Sequence, residues 1–367
     1  MDIIAAVTRG KSEDFLVETI QIDDPRPGEV RVKVIATGMC HTDLVVRDQY
    51  LPVPLPAVLG HEAAGIVDAV GEGVKKLKPG DHVVMTFDSC HQCPSCYEGD
   101  TVYCENFLGI NLLSAARPDG STTLSRNNEV IHSNFFQQSS FASYAMGTED
   151  SVVKVTKDVE LEILGPLGCG IQTGAGAVMN SLAPEAGSTI AIFGAGSVGL
   201  SAIMAARIVG CTIIIAVDIM PSRLKIALEL GATHTLNPQD GDIVEAIHAI
   251  TGGGVNYSLE ATAIPAVFCQ AVDSLAVRGV CGLIGLPPAG TKVSLDMVNL
   301  LLGRTVRGII EGDSKPDTFI PKLIELYRQG RFPFDKLIKF YDLKDINQAA
   351  HDSETGLVIK PIIRMPH

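Results

Sequence analysis

Apolar positions follow different rhythms along the chain. Up to about residue 90 they form short β-branched runs, VRVKVIATG, AGIVDAVG and HVVMTF, parted by Pro-Gly or Gly-x-Gly turns. That pattern predicts short strands. From about 91 to 150 the chain is polar and irregular. From about 185 the texture changes: TIAIFG and CTIIIAVD read as short buried strands, SVGLSAIMAARIVG and SRLKIALELG as helices. VNYSLEAT, PAVFCQAVDSLA and GVCGLIG continue the alternation. Strands that are apolar throughout, alternating with helices, predict a parallel, doubly wound sheet. Beyond about 313 come a helix, FIPKLIELYRQG, and a terminal strand, GLVIKPIIR. The expected organisation is an α/β domain inserted between two pieces of a β-rich one. No internal repeat is seen beyond the strand–helix alternation.

The 367 residues suit two or three domains at ~150 residues each. With 46% hydrophobic and 19% charged residues, the composition is globular and excludes disorder, collagen and coiled coil. Trp is absent and aromatics are 5%, so Val, Ile, Leu and Ala must fill the core. A formal charge of −13 argues against nucleic acid or a membrane surface, which need a basic field. The one basic cluster, Lys75, Lys76 and Lys78, reads as a solvated turn before Pro79-Gly80. The segment MDIIAAVTRG lacks the basic and apolar regions of a signal peptide. No apolar run reaches the ~18 residues of a membrane span. A soluble, cytoplasmic protein is expected. Nine cysteines, an odd number, do not look like a disulfide framework.

The sequence Gly194-Ala-Gly196-Ser-Val-Gly199 follows a predicted strand and opens a predicted helix, with Asp218 19 residues past Gly199. Gly194 permits a tight turn, Gly196 lets a pyrophosphate approach the backbone, and Gly199 lets helix pack on strand. The helix N-terminus adds N–H groups and partial positive charge. Asp218 can accept from a ribose 2′-OH and would repel a 2′-phosphate, so NAD is expected over NADP. Arg223 either shifts that preference toward NADP or lies along the adenosine ribose.

Cys90-x2-Cys93-x2-Cys96-x7-Cys104 can close a tetrahedral zinc site with no open position, one that supplies folding energy. An iron–sulfur cluster is the rival, and disulfides are disfavoured in a reducing compartment. His91 inside this lobe reads as an exposed bystander. Elsewhere, GMCHTD holds Cys40, His41, Thr42 and Asp43, LGHEAAG holds His61 and Glu62, and LGCGIQTGAG holds Cys169 and Thr173. Cys40, His61 and Cys169 together form a Cys2His set suited to a catalytic zinc with an open fourth position. Spacing alone does not join them. Asp43 either holds the free nitrogen of His61 or caps a helix. Glu62 either sits behind the metal or is a turn carboxylate.

With GHEAAGIVDAVGEGVKKLKPGDHV, the four-cysteine lobe and GAGSVG in this order, the chain resembles the zinc-dependent medium-chain alcohol dehydrogenases over essentially its whole length. PLGCGIQTGAGAVMN, QSSFASYA and LYRQGRFPFDKLIKFY resemble the aryl-alcohol (benzyl alcohol) branch, itself similar to enzymes of allylic alcohols such as geraniol. The resemblance implies an α/β chain in two domains. A GroES-like β-rich catalytic domain (1–170 and 314–367, with the zinc lobe at about 90–104) would flank a Rossmann NAD-binding domain (171–313), the active site lying in the cleft between them. It implies Cys40, His61 and Cys169 as catalytic zinc ligands with Glu62 as an outer carboxylate, and Cys90, Cys93, Cys96 and Cys104 as structural zinc ligands. It implies two zinc ions per chain and a homodimer or homotetramer. Thr42 matches the hydroxyl that accepts the alcohol proton, His41 faces the cofactor pyrophosphate, and Thr173 and Val198 lie near the nicotinamide. One departure stands out. Prototype members carry a proton-relaying His five positions after the first zinc ligand, where this chain has Val45.

The implied reaction is reversible, NAD-linked oxidation of primary aromatic or allylic alcohols (benzyl, cinnamyl, geraniol type) to aldehydes. A formaldehyde- or sugar-alcohol-active member of the family is the near rival. A non-catalytic dinucleotide-binding redox protein is the distant one, and it would require the metal ligands to be missing. An apolar substrate pocket is expected, with Phe107, Phe135, Phe141 and Leu113 as candidates. Ordinary packing of the lobe is the alternative for these four. His351 has no expected role.

Overall fold

The computed structural model describes residues 1–366, which divide into two compact units. The first comprises residues 1–169, 315–325 and 335 onward; the second comprises residues 170–314 and 326–334.

The first unit is built on two sheets. In the larger, the strand Glu29–Gly38 pairs antiparallel with Ala63–Val70, Tyr144–Thr148 and the terminal strand Lys360–Arg364. Ala63–Val70 pairs in turn with His82–Met85. Val30, Val32 and Val34 alternate inward, the period-2 signature of a strand buried on one face. They join Ile3, Val7 and Ile20 of the smaller sheet in one apolar core. One element escapes the strand pattern expected before residue 90: His41–Arg47 is a short helix.

The second unit is a six-stranded parallel sheet. Its strands lie in the spatial order His234–Leu236, Ile213–Val217, Thr189–Phe193, Val255–Glu260, Leu275–Leu283, Thr305–Gly308. The order reverses direction at Thr189–Phe193, and a doubly wound sheet binds its ligand at such a switch point, beyond the carboxyl ends of the strands. Four helices, Ser197–Val209, Pro221–Leu230, Ile243–Thr251 and Pro265–Asp273, lie in the first four of its five crossovers, and the short helix Met297–Leu301 lies in the fifth. Ile243–Thr251 and the edge strand His234–Leu236 add to the elements expected from sequence. Among the described residues, no helix is long and apolar enough to cross a membrane.

Candidate active site

In the first unit, ligand-type atoms of Cys40, His61, Glu62 and Cys169 lie within 4.8 Å of one another. Folding thus joins positions that spacing alone did not. Cys40 caps the helix His41–Arg47, and Asp43 at the third helical position reaches back to accept from the Cys40 N–H at 2.8 Å. The other Asp43 oxygen accepts from the Gly60 N–H at 3.0 Å and lies 2.8 Å from His61 Nδ1. A carboxylate can only accept, so Nδ1 carries a proton, and in the neutral ring it is Nε2 that keeps the lone pair. Both readings of Asp43 therefore hold in part, with the correction that the N-cap is Cys40. Cys169 follows the short helix Gly165–Gly168, which has no room for side chains at either end: a Cβ on Gly165 would stand 2.2 Å from Glu62 O, and one on Gly168 2.1 Å from Met85 O.

His61 is fully buried, and its Nε2 has no hydrogen-bond partner. The ring stacks on Phe136 at 4.5 Å and takes Phe135 edge-on at 5.4 Å. Burial opposes charging of His61, but the Asp43 charge outweighs it and raises the imidazole well above its ordinary value. The Cys40 thiol is held well below its usual value, first by a hydrogen bond with Cys169 and then by His61, against the effect of burial. Two thiols and an imidazole nitrogen that is buried and unpartnered fit a zinc ion, which shields such a nitrogen and takes thiolate and imidazole ligands.

Glu62 and Lys360 form a buried ion pair, at 0% and 1% exposure, with Lys360 Nζ 2.9 Å from both carboxylate oxygens. Burial disfavours the ammonium, but Glu62 outweighs it and holds Lys360 above the ordinary lysine value. Glu62 is thus no turn carboxylate, and sequence reading missed its partner. The available signal was a lone charge inside the apolar run VIKPII.

The sulfurs of the lobe also converge, with Cys93 and Cys96 3.5 Å apart and Cys90 and Cys96 3.9 Å apart. These separations are far beyond a disulfide bond and match the ~3.8 Å edge of a tetrahedron with ~2.3 Å zinc–sulfur bonds. Backbone N–H groups of Glu105 and Cys96 push the Cys93 thiol down to about 6. His91 is exposed and stands outside the four-sulfur group, as expected, with its Nε2 2.9 Å from Asp88 Oδ1.

In the second unit, Gly194 adopts φ +96°, and a Cβ on Gly199 would strike Gly194 O at 1.8 Å, while a Cβ on Gly196 would meet nothing within 4 Å. The loop is therefore tight where the backbone turns and open where a phosphate would approach. Asp218 holds the loop in place, accepting from the Ala195 N–H at 2.7 Å and the Met220 N–H at 2.8 Å. Arg223 Nη1 is 3.9 Å from Asp218, and its buried Nε has no partner. Thr173, on the helix Gly170–Gly176, donates to Glu311 at 3.1 Å. That helix packs so closely that a Cβ on Gly174 would strike Val198 O at 1.9 Å, placing Thr173 and Val198 on neighbouring segments.

Other expected residues fall differently. Thr42 is half-buried, its Oγ1 3.8 Å from Cys40 Sγ, whereas His41 is exposed. Phe135 and Phe141 are buried in the core, Phe141 edge-on to Phe15. Phe107 packs on Phe87, and Leu113 is 42% exposed. Of the aromatic candidates, only Phe135 touches His61, and Phe136, which sequence did not single out, stacks on it.

Comparisons with known proteins identify the two domains. Residues 26–157 match the alcohol dehydrogenase GroES-like domain, and residues 197–329 match the zinc-binding dehydrogenase domain. Geraniol dehydrogenase of Castellaniella defragrans is 46% identical over 361 residues, 98% of this chain and 96% of that one. The crystal structure of benzyl alcohol dehydrogenase from Acinetobacter calcoaceticus is 51% identical, with a TM-score of 0.96 and full coverage of both chains. An alcohol dehydrogenase zinc-binding domain protein from Burkholderia ambifaria is 58% identical, with a TM-score of 0.98 and full coverage of both chains.

Proposed function

We propose, for a chain that belongs to the zinc-dependent medium-chain alcohol dehydrogenases, with their GroES-like and Rossmann-type domains, the NAD-linked oxidation of primary aromatic or allylic alcohols to aldehydes. The observation that carries this reading is the convergence of Cys40, His61 and Cys169 around an unpartnered, buried His61 Nε2. Zinc held by these three residues would supply Lewis acidity toward an alcohol oxygen, and a nicotinamide dinucleotide at the glycine loop would supply the hydride acceptor.

The chain's own residues do the rest. Asp43 fixes the His61 tautomer, and Lys360 holds Glu62 behind the ligands. Thr42 Oγ1 takes the alcohol proton. Val45 cannot pass that proton on, so it leaves Thr42 through water or cofactor hydroxyls. The four thiols of the lobe would hold a second, structural zinc. Asp218 favours a free ribose 2′-OH over a 2′-phosphate, because like charges there are costly. The names of the geraniol and benzyl alcohol dehydrogenases support a flat, conjugated substrate. A homo-oligomer in the cytoplasm completes the reading.

The test is an alcohol panel scored by reduced-cofactor absorbance with NAD and with NADP. Each buried CH2 is worth ~0.8 kcal/mol, roughly fourfold, so benzyl, cinnamyl or geraniol-type alcohols should exceed ethanol in kcat/KM by about 100-fold or more. NAD should exceed NADP by at least about tenfold. Ethanol matching benzyl alcohol, or equal use of the two cofactors, would defeat the corresponding part of the reading.

A further inference from the structure

Asn134, Phe136, Gln137 and Ser139 all have left-handed backbones, at φ 65°, 49°, 52° and 53°. None is glycine, the residue that adopts this conformation freely, and for a bulky side chain such as Phe136 it is an outlier. Residues in this state persist where the surroundings over-determine them, and they gather at ligand clamps. Here the surroundings are the segment that carries His61. Ser139 Oγ donates to Val58 O at 2.7 Å, and the Phe141 and Ser140 N–H groups donate to Leu59 O and Gly60 O, each at 2.9 Å. Gln138 brackets His61 itself, donating to its carbonyl at 2.9 Å and accepting from the Ala63 N–H at 3.1 Å. Gln137 anchors the segment elsewhere, donating to Ile110 O at 2.9 Å. What this arrangement delivers is a ring. Phe136 stacks on the His61 imidazole with centroids 4.5 Å apart and planes at 22°. Phe135 stands edge-on to both, 5.4 Å from His61 and 5.1 Å from Phe136.

We propose that Phe136 is a positioning residue of the dispersed metal centre and sets how slowly that centre releases its ion. The proposal rests on the reading of Cys40, His61 and Cys169 as the ligands. Asp43 holds the His61 ring by Nδ1, at 2.8 Å. One hydrogen bond at one edge leaves an imidazole free to tilt out of its plane. A ring stacked on its face opposes that tilt, and the edge-on Phe135 limits it further. A ligand must swing aside before water or a chelator takes its place, so blocking the swing slows release without adding a ligand atom. Groups behind a metal ligand act in this way, by fixing its orientation and by keeping solvent out. Phe136, 5% exposed, belongs to the packing that leaves His61 at 0%. Its side chain has no atom that ligates a metal or carries a proton, so its influence is confined to the pose and dryness of the imidazole.

The experiment uses the full chain with zinc in the lobe and cobalt(II) in the dispersed site, challenged with excess chelator. Decay of the thiolate–cobalt absorption reads release from the dispersed site, and metal analysis reads the lobe zinc. Phe136→Leu keeps an apolar side chain and removes the flat ring. It should release cobalt about tenfold faster or more, while Phe136→Tyr, which keeps the ring, should stay within about threefold of wild type. Lobe zinc should leave at the wild-type rate in both. Should the Leu variant not fold, Phe136→Met removes the same ring. If the ring-less variant releases cobalt at the wild-type rate, if the Tyr variant is as fast as the Leu one, or if lobe zinc is lost in step with cobalt, Phe136 is ordinary packing and the proposal fails. A wild-type protein that takes up no cobalt at the dispersed site, or a Cys40→Ser variant that binds it unchanged, overturns the ligand reading instead.

Discussion

Cys40→Ser and His61→Ala should each lower kcat by about 10³-fold or more while the protein stays folded. A Lewis acid stabilises a developing oxyanion by several kcal/mol, and each 1.36 kcal/mol is tenfold in rate. Removing one of three ligands forfeits that ion or its geometry. The fold does not depend on it, because Asp43 ties the Cys40 and Gly60 backbone together without a metal, and both variants keep those two bonds. Metal analysis should find about one zinc per chain in place of two, and far-UV dichroism should be unchanged. A variant that kept a tenth of wild-type turnover with two zinc ions bound would refute the ligand assignment.

Lys360→Met should cost about 3–5 kcal/mol of stability, the usual result of stripping one partner from a buried ion pair. Glu62 would be left charged at 0% exposure with its main counter-ion gone. Lys360 Nζ is also 3.3 Å from Met39 O, just before Cys40, so the loss would reach the ligand segment. Adding Glu62→Gln should recover much of the loss, since an uncharged amide tolerates burial better than a lone carboxylate. Urea unfolding of both variants reads the effect directly. A single variant within about 1 kcal/mol of wild type would mean that water or a rearranged neighbour replaces the ammonium.

What the sequence discloses tracks how local each feature is. The glycine loop and the four-cysteine lobe are contiguous motifs, and the structure builds each where its motif lies. The parallel sheet is legible because buried strands are apolar throughout. Cys40, His61 and Cys169 are different, because their meeting depends on antiparallel pairings between distant segments. Only the resemblance to a known family joined them in advance. Lys360 was hidden for a related reason: nothing near it in sequence names Glu62 as its partner. The aromatic candidates point different ways because hydrophobicity does not say which way a ring faces. Phe141 turns into the core, while Phe136, at a left-handed φ of 49°, is swung onto His61.

The bracing of Cys40 and His61 by Asp43 bears on how the two metal centres are supplied. The dispersed ligands are assembled by the folded sheets and by one carboxylate, so the fold itself shapes that centre. The lobe draws its four thiols from fifteen consecutive residues, and closing so short a loop costs little entropy. It can therefore capture an ion while the rest of the chain is still unfolded. Loading would then be ordered, the lobe during folding and the dispersed site afterwards. The later site should also be exchangeable: gentle chelation followed by cobalt(II) should give the visible absorption of a thiolate-bound cobalt ion at one site per chain, with the lobe zinc retained. Simultaneous loss of both ions would show that the two centres are not filled independently.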